Sequence, residues 1–166
     1  DMLFLAQTEN AAHALHPRDI NLAAEVQGLF DYYEAWAEDR GVALRCEGSA
    51  RSVCADQAML RRAVGNLLSN AIRHAVRGSV VRVHLESLPA ETVIAVENSG
   101  PEISPAHLPR LFDRFYRVDP ARQRSSEGVG LGLAIVKSIA EAHHGHVRVQ
   151  SAHGITRFEL RLPNNF

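Results

Sequence analysis

The stretch Asp56-Gln-Ala-Met-Leu60-Arg-Arg-Ala63-Val64-Gly-Asn66-Leu67-Leu68-Ser-Asn70-Ala71-Ile72-Arg73-His74-Ala75 is the most regular segment of the chain. Leu60, Ala63, Val64, Leu67, Leu68, Ala71, Ile72 and Ala75 recur at three- and four-residue spacing, which predicts a helix with one buried face. Asp56 is suited to cap its start and Gly78 to end it. Working outward, Val42–Glu47 and Ser52–Ala55 alternate like short strands before it. Val80–Ser87 and Thr92–Val96 predict a hairpin through Pro89-Ala90-Glu91 after it. A helix capped by Asn21 runs to about Arg40, where Gly41 stops it. Residues 1–14 read as the tail of a helix that Pro17 ends. Its apolar side, with Met2, Leu3 and Leu5, calls for a partner. Gly130 to His144 is helical again and closed by Gly145. Val147–Ser151 and Thr156–Leu162 predict a last hairpin around His153-Gly154. About five or six strands mixed with three core helices give a two-layer α/β sandwich, with the helices on one face of the sheet.

The bulk numbers narrow the function classes. The chain has 166 residues, 46% hydrophobic and 22% charged, with a formal net charge of -1. That balance predicts one globular domain and argues against a dedicated nucleic-acid binder. No apolar run approaches the ~18 residues that span a bilayer, and no signal peptide is visible. The chain opens at Asp1-Met-Leu-Phe-Leu-Ala already inside a helical pattern, which reads as a piece of a longer protein. Cys46 and Cys54 form no disulfide framework and read as buried thiols in strands, with a soft-metal site as the sharper alternative.

Three features carry chemistry. On the central helix, Asn66, Asn70, Arg73, His74 and Arg77 fall within about 100° of one another, opposite the apolar stripe. Asparagine is a poor helix former, so two of them one turn apart need a reason beyond solvation. Their amide oxygens suit Mg²⁺ that bridges phosphates, and Arg73 can offer paired donors to the same anion. Second, Gly128-Val129-Gly130-Leu131-Gly132-Leu133 opens the last helix, where backbone donors and the positive helix end favour phosphate. It follows no strand and lacks Gly-Lys-Ser/Thr, so it is neither a Rossmann turn nor a P-loop. Third, periodicity weakens from Asn98 to Gly128. This long segment carries Arg110, Arg114, Arg117, Arg122 and Arg124, as a solvated face or as a flap that grips an anion.

In this order the segments resemble the catalytic ATP-binding domain of sensor histidine kinases. That domain belongs to the larger ATPase group of gyrase, the ninety-kilodalton heat-shock chaperone and the mismatch-repair ATPases. Asn66–Ala75 resembles the N box, Val96–Ile103 the first glycine box, Leu111–Arg117 the F box and Gly128–Leu133 the second glycine box. The run from Leu108 to Arg124 is similar to the copper and silver sensor kinases in particular. The resemblance implies a Bergerat-type fold, a mixed sheet of about five strands on three helices. It divides the chain into residues 1–16, the end of a dimerisation and phosphotransfer helix, and residues 17–166, the catalytic domain.

It also implies roles. Asn70 would hold Mg²⁺ with Asn66 beside it, Arg73 would contact phosphate, and His74 would pack on adenine or ribose. Asn98, Gly100 and Ile103 would line the base. Phe112 and Phe115 would anchor a lid over about residues 101–127. Arg114, Arg117 or Arg122 would close on the γ-phosphate, and Gly128, Val129, Gly130, Leu131, Gly132 and Leu133 would receive the phosphates. Asn66, Arg73, Arg114 and Arg117 are then the catalytic set, with ATP and Mg²⁺ as ligands. Asn98 and Glu102 depart from the family's Asp-x-Gly-x-Gly; an amide oxygen accepts the same bond without charge. No histidine has the phosphoacceptor's His-Glu/Asp-x-x-Thr/Pro setting, so the phosphoryl would go to a histidine outside this piece and thence to a response regulator. The implied whole is a homodimer anchored in the inner membrane with this domain in the cytoplasm; the piece alone is expected to be monomeric. A hydrolytic clamp would need a glutamate where Asn66 stands. A nucleotide-binding module without catalysis is the remaining alternative.

Overall fold

The structure, a computed structural model, describes residues 1–10, 14–119 and 130–165. Its elements follow the order α1 (Met2–Glu9), β1 (Pro17–Ile20), α2 (Leu22–Asp39), β2 (Ala43–Ser49), β3 (Val53–Asp56), α3 (Gln57–His74), β4 (Val80–Ser87), β5 (Glu91–Ser99), a 3₁₀ turn (Leu108–Arg110), α4 (Gly132–Ala142), β6 (His146–Ala152) and β7 (Ile155–Pro163). A mixed five-stranded sheet has the order β2-β4-β5-β7-β6, with β2 parallel to β4 and the other pairs antiparallel. α2, α3 and α4 pack on one face, so the expected two-layer α/β sandwich is present. Among the described residues no helix is long and apolar enough to cross a membrane.

The inward positions of the sheet alternate as a one-sided sheet requires. Val81, Val83, Ile94, Val96, Phe158 and Leu160 meet Leu67, Leu68, Ile72, Ile135 and Ile139 from the helices in one core. The outward face is roofed by charge. Arg157 binds Glu97 at 2.7 Å and Glu159 at 2.9 Å, and Arg161 binds Glu159 at 2.8 Å and Glu91 at 2.6 Å. This ladder closes over Val93 and Ala95, which are 1% and 0% exposed. Burial alone would raise the Glu159 carboxyl, but its two guanidinium partners outweigh that and hold it below the ordinary range.

Four expectations need correction. Pro17–Ile20 is a strand, paired antiparallel with β3 in a separate two-stranded sheet. Proline and two charges disguise it as a loop, and only Ile20 is buried. α3 stops at His74, before Gly78, because Ala75 turns extended and the Val76 N–H goes to Ser99 O at 2.9 Å. Arg77 therefore leaves the polar stripe and lies over Gly41. The cysteines are not buried: Cys46 is exposed and Cys54 half-buried. β2, which carries Cys46, is an edge strand of the main sheet.

His143, at the end of α4, ties that helix to the start of α3. It is 1% exposed. Its Nδ1–H donates to Ile139 O at 2.8 Å, and its Nε2 accepts from the Asp56 N–H at 3.0 Å. Both ring nitrogens are satisfied only in the neutral form. Burial is the largest influence and lowers the imidazole from its ordinary value, despite the opposing pull of Ile139 O and Asp56. The unfolded chain thus binds a proton that the fold refuses, and this part of stability rises with pH. It should be complete above about pH 6.5 and fall progressively below it. A urea midpoint followed from pH 7.5 to 5 should fall in the wild type and stay flatter in His143→Gln. An equally steep fall in the variant would assign the effect elsewhere.

Candidate functional site

The polar face of α3 forms one wall. Asp56 caps the helix by accepting from the Met59 N–H at 3.1 Å, and the buried stripe turns Asn66, Asn70 and Arg73 away from the core. All three are half-buried, and His74 is exposed. The opposite wall is the start of α4. The Asn66 Nδ2 donates to Gly132 O at 3.1 Å, joining the two walls and leaving the Asn66 Oδ1 to accept. α4 begins without a side-chain cap and with no acidic residue in its first turn. Its first intrahelical bond is Ile135 N–H to Leu131 O at 2.9 Å. The N–H groups of Gly132, Leu133 and Ala134 precede that bond and point out of the helix end. Leu131 is 2% exposed, so it turns its side chain into the core.

The end of β5 forms the floor. Asn98 is 4% exposed, and its Nδ2 points at Ser99 O at 3.4 Å. Gly100 is there because α3 arrives at that spot: a Cβ would sit 2.7 Å from His74 O and 3.3 Å from the Asn98 Nδ2. Opposite Asn98 in register is Thr156 of β7, also buried. Its Oγ1 shares a hydrogen bond with the Ser151 Oγ at 3.0 Å, and that hydroxyl accepts from the Ile103 N–H at 2.8 Å. Thr156 and Ser151 escape motif reasoning. The signal that finds them is alternation, since both occupy inward positions where the pattern calls for apolar side chains.

Beyond Gly100 the chain wraps the open side. Phe112 is half-buried and meets Phe158 edge-on at 5.9 Å, an anchor on the core. Phe115 is not an anchor; it is 55% exposed, and its φ of 62° turns it outward. That turn lets the Phe115 N–H donate to Gly130 O at 3.0 Å. Gly130 itself has φ +77°, with a would-be Cβ 3.1 Å from the Phe115 Cα, so both conformation and space demand glycine. Arg110 stacks on Tyr116, whose hydroxyl bonds His107. Arg114 pairs with Glu9 of α1 at the rim of a cleft of ≈ 390 Å³ between α1 and α4. Arg117 is half-buried. Gly128, Val129, Arg122 and Arg124 lie outside the described residues, as do 120–127 of the expected lid.

The close approach at Gly100 is testable. Gly100→Ala should cost about 1–3 kcal/mol, because backbone must move to admit the methyl group. Gly28, on the exposed face of α2 with nothing within 4 Å of its would-be Cβ, is the contrast. Gly28→Ala should stabilise by about 0.5–1 kcal/mol through helix propensity. Urea unfolding of both variants checks the pair; equal effects would refute the geometric account.

Comparison with known proteins agrees with this geometry. Residues 55–165 match the family described as histidine kinase-, DNA gyrase B-, and HSP90-like ATPase. Sensor histidine kinase CusS of Escherichia coli (strain K12) is 53% identical over 163 residues, covering 98% of this chain and 34% of that protein. The probable sensor kinase SilS of Salmonella typhimurium is 44% identical over 169 residues, with 98% and 34% covered. The chain thus spans about a third of the length of these relatives. Among solved structures, Acinetobacter baumannii histidine kinase AdeS superimposes with a TM-score of 0.83 at 21% identity, over 99% of this chain and 76% of that one. The match runs through the polar helix, the floor and the uncapped helix start alike, and the chain belongs to the histidine kinase-, DNA gyrase B- and HSP90-like ATPase family, as a catalytic ATP-binding domain of the sensor histidine kinase kind.

Proposed function

We propose that this domain binds ATP with Mg²⁺ between α3 and α4 and presents the γ-phosphoryl to a histidine on a separate helical hairpin. The observation that carries this is the joined pair of walls: an amide face on α3 bonded to an α4 that opens uncapped. The donor set fits its ligands. Neutral amide oxygens on one helix face suit a hard cation that keeps most of its waters, and backbone N–H groups suit phosphate. Asn70 would hold the metal with Asn66 beside it; when bound, Mg²⁺ neutralises charge on the phosphate oxygens. Arg73 binds phosphate, and His74 lies at the base or ribose. The Asn98 Nδ2 is directed at Ser99 O, which leaves its Oδ1 to accept from an adenine amino group in place of a carboxylate. Thr156 and Ile103 complete the floor beside it. Arg114, which pairs with Glu9, and the half-buried Arg117 are the described lid arginines assigned to phosphate.

Phosphoryl transfer asks mostly for positioning and charge neutralisation, which this site supplies. Hydrolysis would ask for a base to activate water. The Asn66 amide nitrogen is a donor occupied by Gly132 O, and an amide is no base. The reading therefore favours transfer over a hydrolytic clamp. The partners proposed are the protein's own dimerisation and phosphoacceptor hairpin, of which α1 is the end, and a response regulator. A copper or silver stimulus, and a cytoplasmic position in a membrane-anchored dimer, follow from the resemblance of residues 108–124 to the copper and silver sensor kinases.

Calorimetric titration of ATP tests the site. Binding should weaken about tenfold, or roughly 1.4 kcal/mol, in Asn70→Ala or without Mg²⁺. Arg114→Ala and Arg117→Ala should each weaken it. Phosphoryl transfer from ATP to a separately supplied histidine-bearing hairpin tests the activity. ATP binding without transfer would leave a nucleotide-binding module.

A further inference from the structure

The last turn of α3 carries Asn70, Arg73 and His74, yet it ends without the glycine that closes many helices. Ala75 turns extended, with φ -66° and ψ 143°, and its N–H returns to Ala71 O at 2.9 Å. The carbonyls of Ile72 and Arg73 come next and lie beyond the helix's own donors. Arg40, the residue that closes α2, serves both. Its Nε donates to Ile72 O at 3.1 Å and its Nη2 to Arg73 O at 2.7 Å. Its own N–H is pinned to Trp36 O at 3.1 Å, and Gly78 N–H to Gly41 O at 2.7 Å knits the same corner. On the other side, Val76 N–H bonds Ser99 O, and His74 O rests against Gly100. The turn is held between a guanidinium and the end of β5.

We propose that Arg40 is a positioning residue for nucleotide binding: it caps α3 from a neighbouring helix and so sets the direction in which Arg73 and Asn70 meet the phosphates. The proposal rests on the phosphate reading of that face. Helix ends fray, and a residue in the last turn inherits the disorder of its backbone. A cation that bonds two terminal carbonyls also opposes the negative end of the helix dipole. Without it, Arg73 would sample more orientations, and ordering them would be charged against ATP binding. The base floor of Asn98 and Thr156 stands on strands that Arg40 does not touch, while His74 of the same turn faces the base or ribose, so a loss larger for the phosphates than for the nucleoside is the signature.

The test compares ATP with Mg²⁺ and adenosine by calorimetry, well below each variant's melting temperature. Arg40→Gln should weaken ATP binding about five- to tenfold and adenosine by less than about twofold. Arg40→Lys keeps the charge and one bond, and should weaken ATP only about threefold. Arg61→Ala removes a second link between α2 and α3, the 2.9 Å pair with Glu25, and should change neither ligand. Equal losses for ATP and adenosine in Arg40→Gln, or no loss at all, would overturn the proposal. If Arg40→Gln does not fold, Arg40→Lys decides alone, and wild-type ATP affinity there would overturn it. Asn70→Ala separates the two readings. If it leaves ATP binding intact, the phosphate assignment fails and this one with it. If it weakens ATP while Arg40→Gln does not, only the role of Arg40 falls.

Discussion

A single hydrogen bond from the Asn66 side chain to Gly132 O joins the two helices between which a triphosphate would lie. The packing of both helices on the sheet brings those two groups to 3.1 Å. The apolar stripe of α3 seats it on β5, and the stripe of α4 seats it on β6 and β7. The mixed sheet sets the distance between them. A bond that couples two elements far apart in sequence is strong only if both are already rigid. Here the rigidity comes from a core whose central side chains, Leu68, Ile72, Ile135 and Leu160, are 0–1% exposed.

That rigidity is built on both sides of the sheet by different means. Inside, hydrophobic burial dominates. Outside, among the described residues, no second layer covers the sheet, and arginine–carboxylate pairs lie over the strands. Glu159, 9% exposed between Arg157 and Arg161, is satisfied by both guanidinium groups. Isolated surface pairs contribute little, but a half-buried network that also shields Val93 and Ala95 from water combines charge pairing with apolar burial.

α1 ties together elements from both sides of the candidate site. Leu5 is buried against the domain, Thr8 shares a 2.7 Å hydrogen bond with Ser138 of α4, and Arg62 stacks on Phe4 at 4.0 Å. Glu9 then engages Arg114 of the wrapping segment. One short helix thus touches α3, α4 and the 111–117 segment together, so its placement bears on all three.

Most of the fold, and the polar face of α3 that makes one wall of the candidate site, were legible in the sequence. Period 3.6 in α3 and the inward alternation of β4 are local signals, written by residues next to one another. Asp56 as a cap and the amide pair Asn66 and Asn70 on one face follow from the same local rule. Four things were not legible: β1, the early end of α3 at His74, the exposure of Phe115, and Thr156 at the floor. Each is decided by a partner far away in sequence: Asp56 opposite Pro17, Ser99 O for Val76, Gly130 O for Phe115, and Asn98 opposite Thr156. Apart from β1, sequence by itself determined which segments are helix or strand and which faces are polar, because side-chain spacing controls burial directly. Only the tertiary structure decided where those segments stop and which groups meet, because backbone donors and acceptors pair with whatever the packed core brings within reach.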